Sequence, residues 1–476
     1  ANIQVNKKQV NTLETQLSTQ KKINKPSEDP VIAIRALRLR SSLEQVTQYL
    51  NKNIPDADSW LKTTEGAVDE AVSVITDLYA YCEQGATDSY SPSERSTLAE
   101  SLNKLRDAYY AEGDVEYAGR YLFSGYMTDT PLTYQSDETA AKADFTITQE
   151  FTRENIELKT VYTNAYSNDD ILNLNVKTDA ATGNVITPNV ADVHRVRIGY
   201  TKVSDAGTFE IKLNDGTTMA AAVNDSNYQP GDDEAAFNAA TGEILLGENV
   251  YKQLYASDGF SFTYRKDNFA KGDLNPVMYY DCVDNNPDNA GVVYTKKTED
   301  IEYNINFSQK LKVNTEANEV FNMYLGRDID DLITSVNNVI DIEAQLEKVE
   351  GMLKQDIYSD KDSQSKLNSI KEGLTKQNEL AKEEMKNRFE YCVGTMQGYQ
   401  EQASLAKADA GNRMTRLNLT KSRLTEQKTN FTNLKSENED IDLEEVVVGY
   451  SAAQLVYNAS LTAASKVIQQ TLLDFL

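Results

Sequence analysis

From Met385 to Leu434 the chain repeats one seam without a slip. Met385, Phe389, Cys392, Met396, Tyr399, Ala403, Ala406, Ala410, Leu417, Leu424, Phe431 and Leu434 follow at steps of three and four, and Arg413, Thr420 and Gln427 fill the gaps as polar members. About fifty residues of continuous helix span roughly 75 Å at about 1.5 Å per residue, and a globular core has no room for that length. A second rod is expected from Ile32 through Ala36, Leu39, Leu43, Val46 and onward to Leu78 and Tyr81 in one register, with Pro55 expected to kink or break it. Ile3, Asn6, Val10, Leu13 and Leu17 carry the same spacing in a terminal helix. Between that helix and the second rod lies "KKINKPSEDP", where Pro26 and Pro30 bracket an interruption.

Ser91, Pro92 and Glu94 supply a cap, a first-turn proline and a reach-back carboxylate for a further helix with Leu98, Leu102, Leu105 and Tyr109 on its face. From about Gln135 to Val293 the pattern turns to strands. Asn214, Asp215 and Gly216 mark a hairpin, and "GEILL", "GFSFTYR" and "NPVMYYDC" read as further strands. Helical spacing returns at Leu332, Val336, Val339, Leu346, Leu353 and Ile357. After the acidic "SENEDIDLEE", the last helix has Lys466 as its only charge from Val446 to Thr471. Apolar on all sides, it has to be buried somewhere.

The order is nearly palindromic: terminal helix, joint, long helix, β insert, long helix, joint, terminal helix. Halves distant in sequence have to meet to cover each other's seams. The expected fold class is therefore α+β, a long-helix bundle and a terminal coiled coil formed by both chain ends, with an inserted β-rich domain. A length of 476 residues suits several domains. A formal charge of -26 argues against nucleic acid and against an anionic membrane surface. The opening "ANIQVNKKQV" has no apolar run, so no cleaved signal peptide is expected.

Catalytic chemistry finds little support. His194 stands alone in an alternating run, and no HExxH, GxSxG, GxGxxG or Walker loop is present. "DCVDNNPDNAG" is rich in oxygen ligands but lacks EF-hand spacing, so a solvated turn is expected. Cys82, Cys282 and Cys392 are too scattered for a disulfide framework or a zinc ribbon. The basic group Lys21, Lys22, Lys25, Arg35, Arg38 and Arg40 stands out against the acidic background. It reads either as a solvated face or as a contact for the acidic "SENEDIDLEE" of a neighbouring copy. The apolar tail has the length of a bilayer span, yet Ser451, Gln454, Asn458, Ser460 and Thr462 interrupt it and no basic flank follows. Burial against helices of other copies is expected instead.

"LSTQKKINKPSEDPVIAIRALRLRSSL", "SWLKTTEGAVDEA" and "GRYLFSGYMTDTP", together with the C-terminal run from "LTKSRLTEQKTNF" to "TLLDFL", resemble the flagellin superfamily, and within it the proteins of the hook-filament junction. Pro26-Ser27-Glu28-Asp29-Pro30, where flagellins usually carry alanines, and the ending Leu472-Leu473-Asp474-Phe475-Leu476 favour the junction branch over filament flagellin, which stays the alternative. Gln20 stands where the family commonly has glycine. The family's export signal lies at the extreme N-terminus and is expected to be shortened here.

The resemblance implies a structural axial component of the bacterial flagellum, not an enzyme and without cofactors or metals. It is expected outside the cell, exported unfolded through the flagellar type III apparatus. Expected partners are copies of itself in a ring, neighbouring hook-associated and flagellin-like subunits, and an export chaperone on residues 446–476, with neither nucleic acid nor membrane. The expected division is 1–22 with 447–476 as the axial coiled coil, 23–134 with 294–446 as the long-helix bundle, and 135–293 as the β-rich outer insert. The assembly interface is expected at Val10, Leu13, Leu17, Val448, Leu455, Val456, Leu461, Val467, Ile468, Leu472, Leu473, Phe475 and Leu476. Lys22, Asn24, Pro26, Asp29 and Pro30 are expected to form the joint.

Overall fold

Proline and its partners set the helix boundaries of the N-terminal half. The computed structural model describes residues 2–87, 90–225, 227–287, 289 and 291–473, with side chains as far as residue 466. Its long helices are α1 (Asn2–Thr19), α2 (Pro30–Gln48), α3 (Ile54–Gly85), α4 (Pro92–Ala111), α5 (Met323–Leu353), α6 (Lys361–Glu439) and α7 (Leu443–Leu473). Asp29 caps α2 by accepting from Val31 N at 2.9 Å and Ile32 N at 3.1 Å, and Pro30 takes the first helical position, where its missing N–H costs nothing. Ser91 and Glu94 form the expected capping box at the start of α4.

Two compact units result, one comprising Ala1–Ser59, Glu302–Lys312 and Arg413–Leu476, the other Trp60–Ile301 and Val313–Asn412. Their boundaries fall inside α3 and α6. In the first unit the regular α-helical pattern is interrupted just before Pro55, and the chain stays helical through the interruption. Tyr49–Asn53 form a π turn in which Ile54 N donates to Tyr49 O. One residue of slack there accommodates a ring that lacks an N–H and would clash with the carbonyl four residues back. A hairpin of β11 (Glu302–Asn306) and β12 (Gln309–Lys312) lies over this turn. Asn53 Nδ2 donates to Asn304 O at 2.7 Å, and Tyr49 and Phe307 meet edge to face at 5.7 Å.

The second unit sets helices against a ten-stranded sheet. Its strands are β1 (Phe145–Phe151), β2 (Ile156–Thr163), β3 (Asn189–Arg197), β4 (Phe209–Leu213), β5 (Thr218–Val223), β6 (Ala235–Asn238), β7 (Glu243–Leu246), β8 (Phe260–Lys266), β9 (Asp281–Asp284) and β10 (Val293–Tyr294). They lie in the order β10-β9-β1-β8-β4-β5-β6-β7-β3-β2, antiparallel except for the parallel pair β5·β6. The chain is α+β. The β4–β5 hairpin turns at Asn214-Asp215-Gly216 as the sequence implies, with Gly216 at φ +91°, a conformation that costs glycine little. Phe209, Phe237 and Phe262 close the sheet's aromatic core with ring centroids 4.6 to 6.0 Å apart.

Three local expectations differ from the structure. "NPVMYYDC" is not one strand, because Pro276–Met278 form a 3-10 turn capped by Asn275 and only Asp281 and Cys282 enter β9. Proline supplies no ladder donor, so a strand cannot start cleanly there. Ile357 lies beyond α5 in another 3-10 turn and is 77% exposed. α6 is continuous over 79 residues, longer than its C-terminal seam alone implies. Leu367, Ile370, Leu374 and Ala381 extend its buried face toward the N-terminus.

Candidate assembly surface and joint

The joint is a short two-strand clasp within the first unit. α1 stops at Thr19 because Gln20 takes a left-handed conformation, φ +57°. That turn directs Lys21 and Lys22 alongside the end of α6. Lys21 pairs with Asp440 as an antiparallel bridge, Lys22 N donates to Glu439 O at 2.8 Å, and Ile441 N donates to Gln20 O at 3.3 Å. Arg40 then grips Glu439 with both prongs of its fork, Nε to Oε1 at 2.7 Å and Nη2 to Oε2 at 2.6 Å. Lys21 Nζ pairs with the Asp440 carboxylate. Hydrogen bonding to Arg40 holds the Glu439 carboxyl below its ordinary range, and Lys21 does the same for Asp440.

These contacts correct one reading of the basic group. Lys21, Lys22 and Arg40 meet "SENEDIDLEE" inside one chain, while Arg35 and Arg38 stay exposed and make no ion pair among the described residues. The remaining joint residues build the turn itself. Asn24 N donates to Glu28 Oε2 at 2.7 Å, Pro26 opens the turn, and Asp29 and Pro30 start α2.

Gln20 is strained for a residue with a Cβ, and glycine would take this conformation at little cost. Gln20→Gly is expected to relieve about 1 kcal/mol, slowing hydrogen exchange of the Lys22 amide about fivefold in the purified chain. No change in that amide's protection would remove strain at Gln20 from the explanation.

α1 and α7 pair antiparallel. Asn6 Nδ2 donates to Ser460 Oγ at 2.8 Å, and Leu13 faces Gly449, where an added Cβ would lie 4.0 Å from Leu13 Cδ2. Ile3, Asn6, Val10, Leu13 and Leu17 are all half-buried, and α1 has no fully buried residue. On α7, Ala453 is buried, but Val448 is 70% exposed and Leu455 72%, and Val456 and Leu461 are exposed as well. Val467, Ile468, Leu472 and Leu473 belong to α7 beyond the described side chains, and Phe475 and Leu476 lie outside the described residues. Among the described residues no helix is long and apolar enough to cross a membrane.

Elsewhere the singled-out residues take ordinary places. His194 lies on β3 with its ring against Tyr251, and burial lowers its pKa. Cys82, Cys282 and Cys392 are buried and free, and burial pushes the Cys82 and Cys282 thiols up to about 12. Among the described residues no cluster of His, Cys, Asp and Glu could hold a metal ion.

The residues that sequence reading passes over flank His194. Arg195 is 1% exposed, donating from Nη1 to Glu243 at 2.5 Å and from Nη2 to Asp331 at 2.6 Å and Glu157 at 3.1 Å. Arg197 reaches Glu157 at 2.7 Å and Asp328 at 2.7 Å, and Lys159 closes on Glu243 at 2.6 Å. This network ties β2, β3 and β7 to α5 within the second unit. Burial alone would raise the Asp331 pKa, but the charges of Arg195 and Arg197 outweigh it and hold that carboxyl well below its usual value.

Residues 1–128 match the family described as bacterial flagellin N-terminal helical region. Flagellar hook-associated protein 3 of Escherichia coli K12 is 28% identical over 117 residues, 24% of this chain and 36% of that protein. Its counterpart in Salmonella typhimurium LT2 is 28% identical over 116 residues, with the same coverage. The chain thus matches about a third of the length of these curated relatives. Among solved structures, Xanthomonas campestris FlgL aligns over 84% of this chain and 99% of its own at 12% identity and TM-score 0.33. The flagellar junction protein FlgL from Legionella pneumophila aligns over 86% and 100%, at 12% identity and TM-score 0.29. Scores this low carry no argument about the fold. Residues 1–128 of this chain thus match the bacterial flagellin N-terminal helical region, and over 117 residues the chain is similar to flagellar hook-associated protein 3.

Proposed function

We propose that the chain is a structural axial component of the bacterial flagellum, an adaptor at the hook-filament junction that assembles through α1 and α7. The observation that carries this reading is the exposure of Val448, Leu455, Val456 and Leu461 on a helix that α1 leaves uncovered there among the described residues. An apolar surface of that kind is costly in water and is recovered when other chains cover it. The matched N-terminal region and the likeness to hook-associated protein 3 favour the junction role.

The rest of the reading follows from that role. Val10, Leu13, Leu17 and the apolar residues of α7 form the assembly interface, and the clasp at Lys22, Asn24, Pro26, Asp29 and Pro30 redirects the chain between an axial coiled coil (1–22, 447–476) and a bundle (23–134, 294–446). Residues 135–293 form the outer insert. Partners are copies of the chain in a ring, adjoining hook-associated and flagellin-like subunits, and an export chaperone on 446–476. The location is extracellular, reached by type III export, and the role is mechanical, with no turnover.

Mixing purified chain with hook and flagellin preparations tests this, read by light scattering and electron microscopy. A junction protein adds a limited layer and stops. Growth of long filaments from the chain alone would assign it to filament flagellin instead, and failure to add to either surface would remove the axial role.

A further inference from the structure

The first turns of α2 and α7 carry matching surfaces. At 100° per residue, Leu37, Ile34, Arg38, Val31 and Arg35 fall in that order across one continuous arc of α2, opposite the buried Ala33 and Ala36. All five are exposed, Leu37 by 63%. Two cations thus interleave with three bare aliphatic side chains. On α7 the same projection places Leu443, Val447, Glu444, Leu455, Val448 and Glu445 in one arc, all exposed. Neither Arg35 nor Arg38 meets an acid in its own chain among the described residues, and Glu444 and Glu445 meet no base there. Their neighbours Arg40 and Glu439, by contrast, are fully engaged with each other.

Resting on the assembly reading above, we infer that the α2 stripe of one copy docks on the root of α7 in another copy, Arg35 and Arg38 facing Glu444 and Glu445 across an apolar contact of Val31, Ile34 and Leu37 with Val447 and Val448. A second copy is the occupant because it supplies both halves of the match: acids for the two free arginines, on a chain whose charge of -26 makes a basic stripe exceptional, and an aliphatic surface for the exposed side chains between them. The two patches differ, so the contact is heterologous. Each copy presents one patch to each of two neighbours, and the repeated contact closes into a ring or continues as a helix. Ion pairs at the rim of an apolar contact set register and partner choice, so the contact weakens with salt.

The test uses two full-length variants, Leu37→Cys and Val448→Cys, mixed under assembling conditions and mildly oxidised; the native cysteines are buried. The expected product is the mixed disulfide dimer, exceeding either like-with-like dimer by at least about tenfold. Adding Arg35→Glu and Arg38→Glu to the first chain is expected to abolish it. Adding Glu444→Arg and Glu445→Arg to the second is expected to restore it with the reversed partner, a rescue that a merely structural role for these residues cannot give. If the chains sediment as assemblies but give no preferred mixed dimer, or if reversal has no effect, the docking is overturned and the assembly reading stands. If they do not associate at all, alone or on flagellar ends, both fall.

Discussion

A chain carrying Val448→Asp and Leu455→Asp is expected to lose self-assembly while its main unfolding transition stays in place. Both side chains are about seven-tenths exposed in the single chain, so neither change disturbs an existing core. In an assembly each is to be covered by another chain, and burying an aliphatic side chain of this size stabilises by roughly 1.5–3 kcal/mol. The aspartates forfeit that and add an unpaired carboxylate to an apolar interface. A combined loss above about 4 kcal/mol lowers the association constant by roughly a thousandfold or more. Sedimentation at matched concentrations reads the first effect, and denaturant unfolding followed by circular dichroism reads the second. Assembly at wild-type strength would show that these faces are not the contact surfaces.

Arg195→Ala is expected to be the most destabilising single substitution in the second unit. The guanidinium is almost completely buried and holds Glu243, Asp331 and Glu157 at once. Its removal strands buried carboxylates with fewer partners, a loss of about 3–5 kcal/mol, or on the order of 10 °C in melting temperature for a unit of this size. The same network gives a pH dependence. Arg195 and Arg197 hold the folded Asp331 carboxyl below its unfolded value near 4. Its contribution is therefore complete above the unfolded pKa and is lost as pH falls through the lower, folded one. Wild type should weaken steeply on acidification below about pH 4, and Arg195→Ala should show a shallower acid slope. Equal slopes would mean that Asp331 is not tuned by Arg195.

The helical parts of this fold are written locally, and that is why they can be read. A seam such as Ile3, Asn6, Val10, Leu13 and Leu17 states its buried side by spacing alone, and the structure half-buries all five. Ser91 with Glu94, and Asn214 to Gly216, likewise carry their geometry within four residues. Features that depend on distant partners leave no such trace. Arg195 reads as a surface residue of an alternating strand until β7 and α5 deliver Glu243 and Asp331, 48 and 136 positions away. The clasp is legible in part: the sequence offers "SENEDIDLEE" as a contact for Lys21 and Arg40, but not that Asp440 and Glu439, 419 and 399 positions distant, meet them in the same chain. Pro55 is legible in part. The proline announces a local interruption of the α-helix, but that the interruption is one π turn is decided at the scale of a single backbone hydrogen bond.

Hydrogen exchange across residues 446–473 of the purified chain, before and after assembly, bears most directly on the claim that the face of α7 left open by α1 is covered by other copies. Rapid exchange in the free chain is expected, since one thin partner helix gives little protection to an isolated helical pair, followed by strong protection once assembled. Full protection in the free monomer, unchanged on assembly, would contradict it.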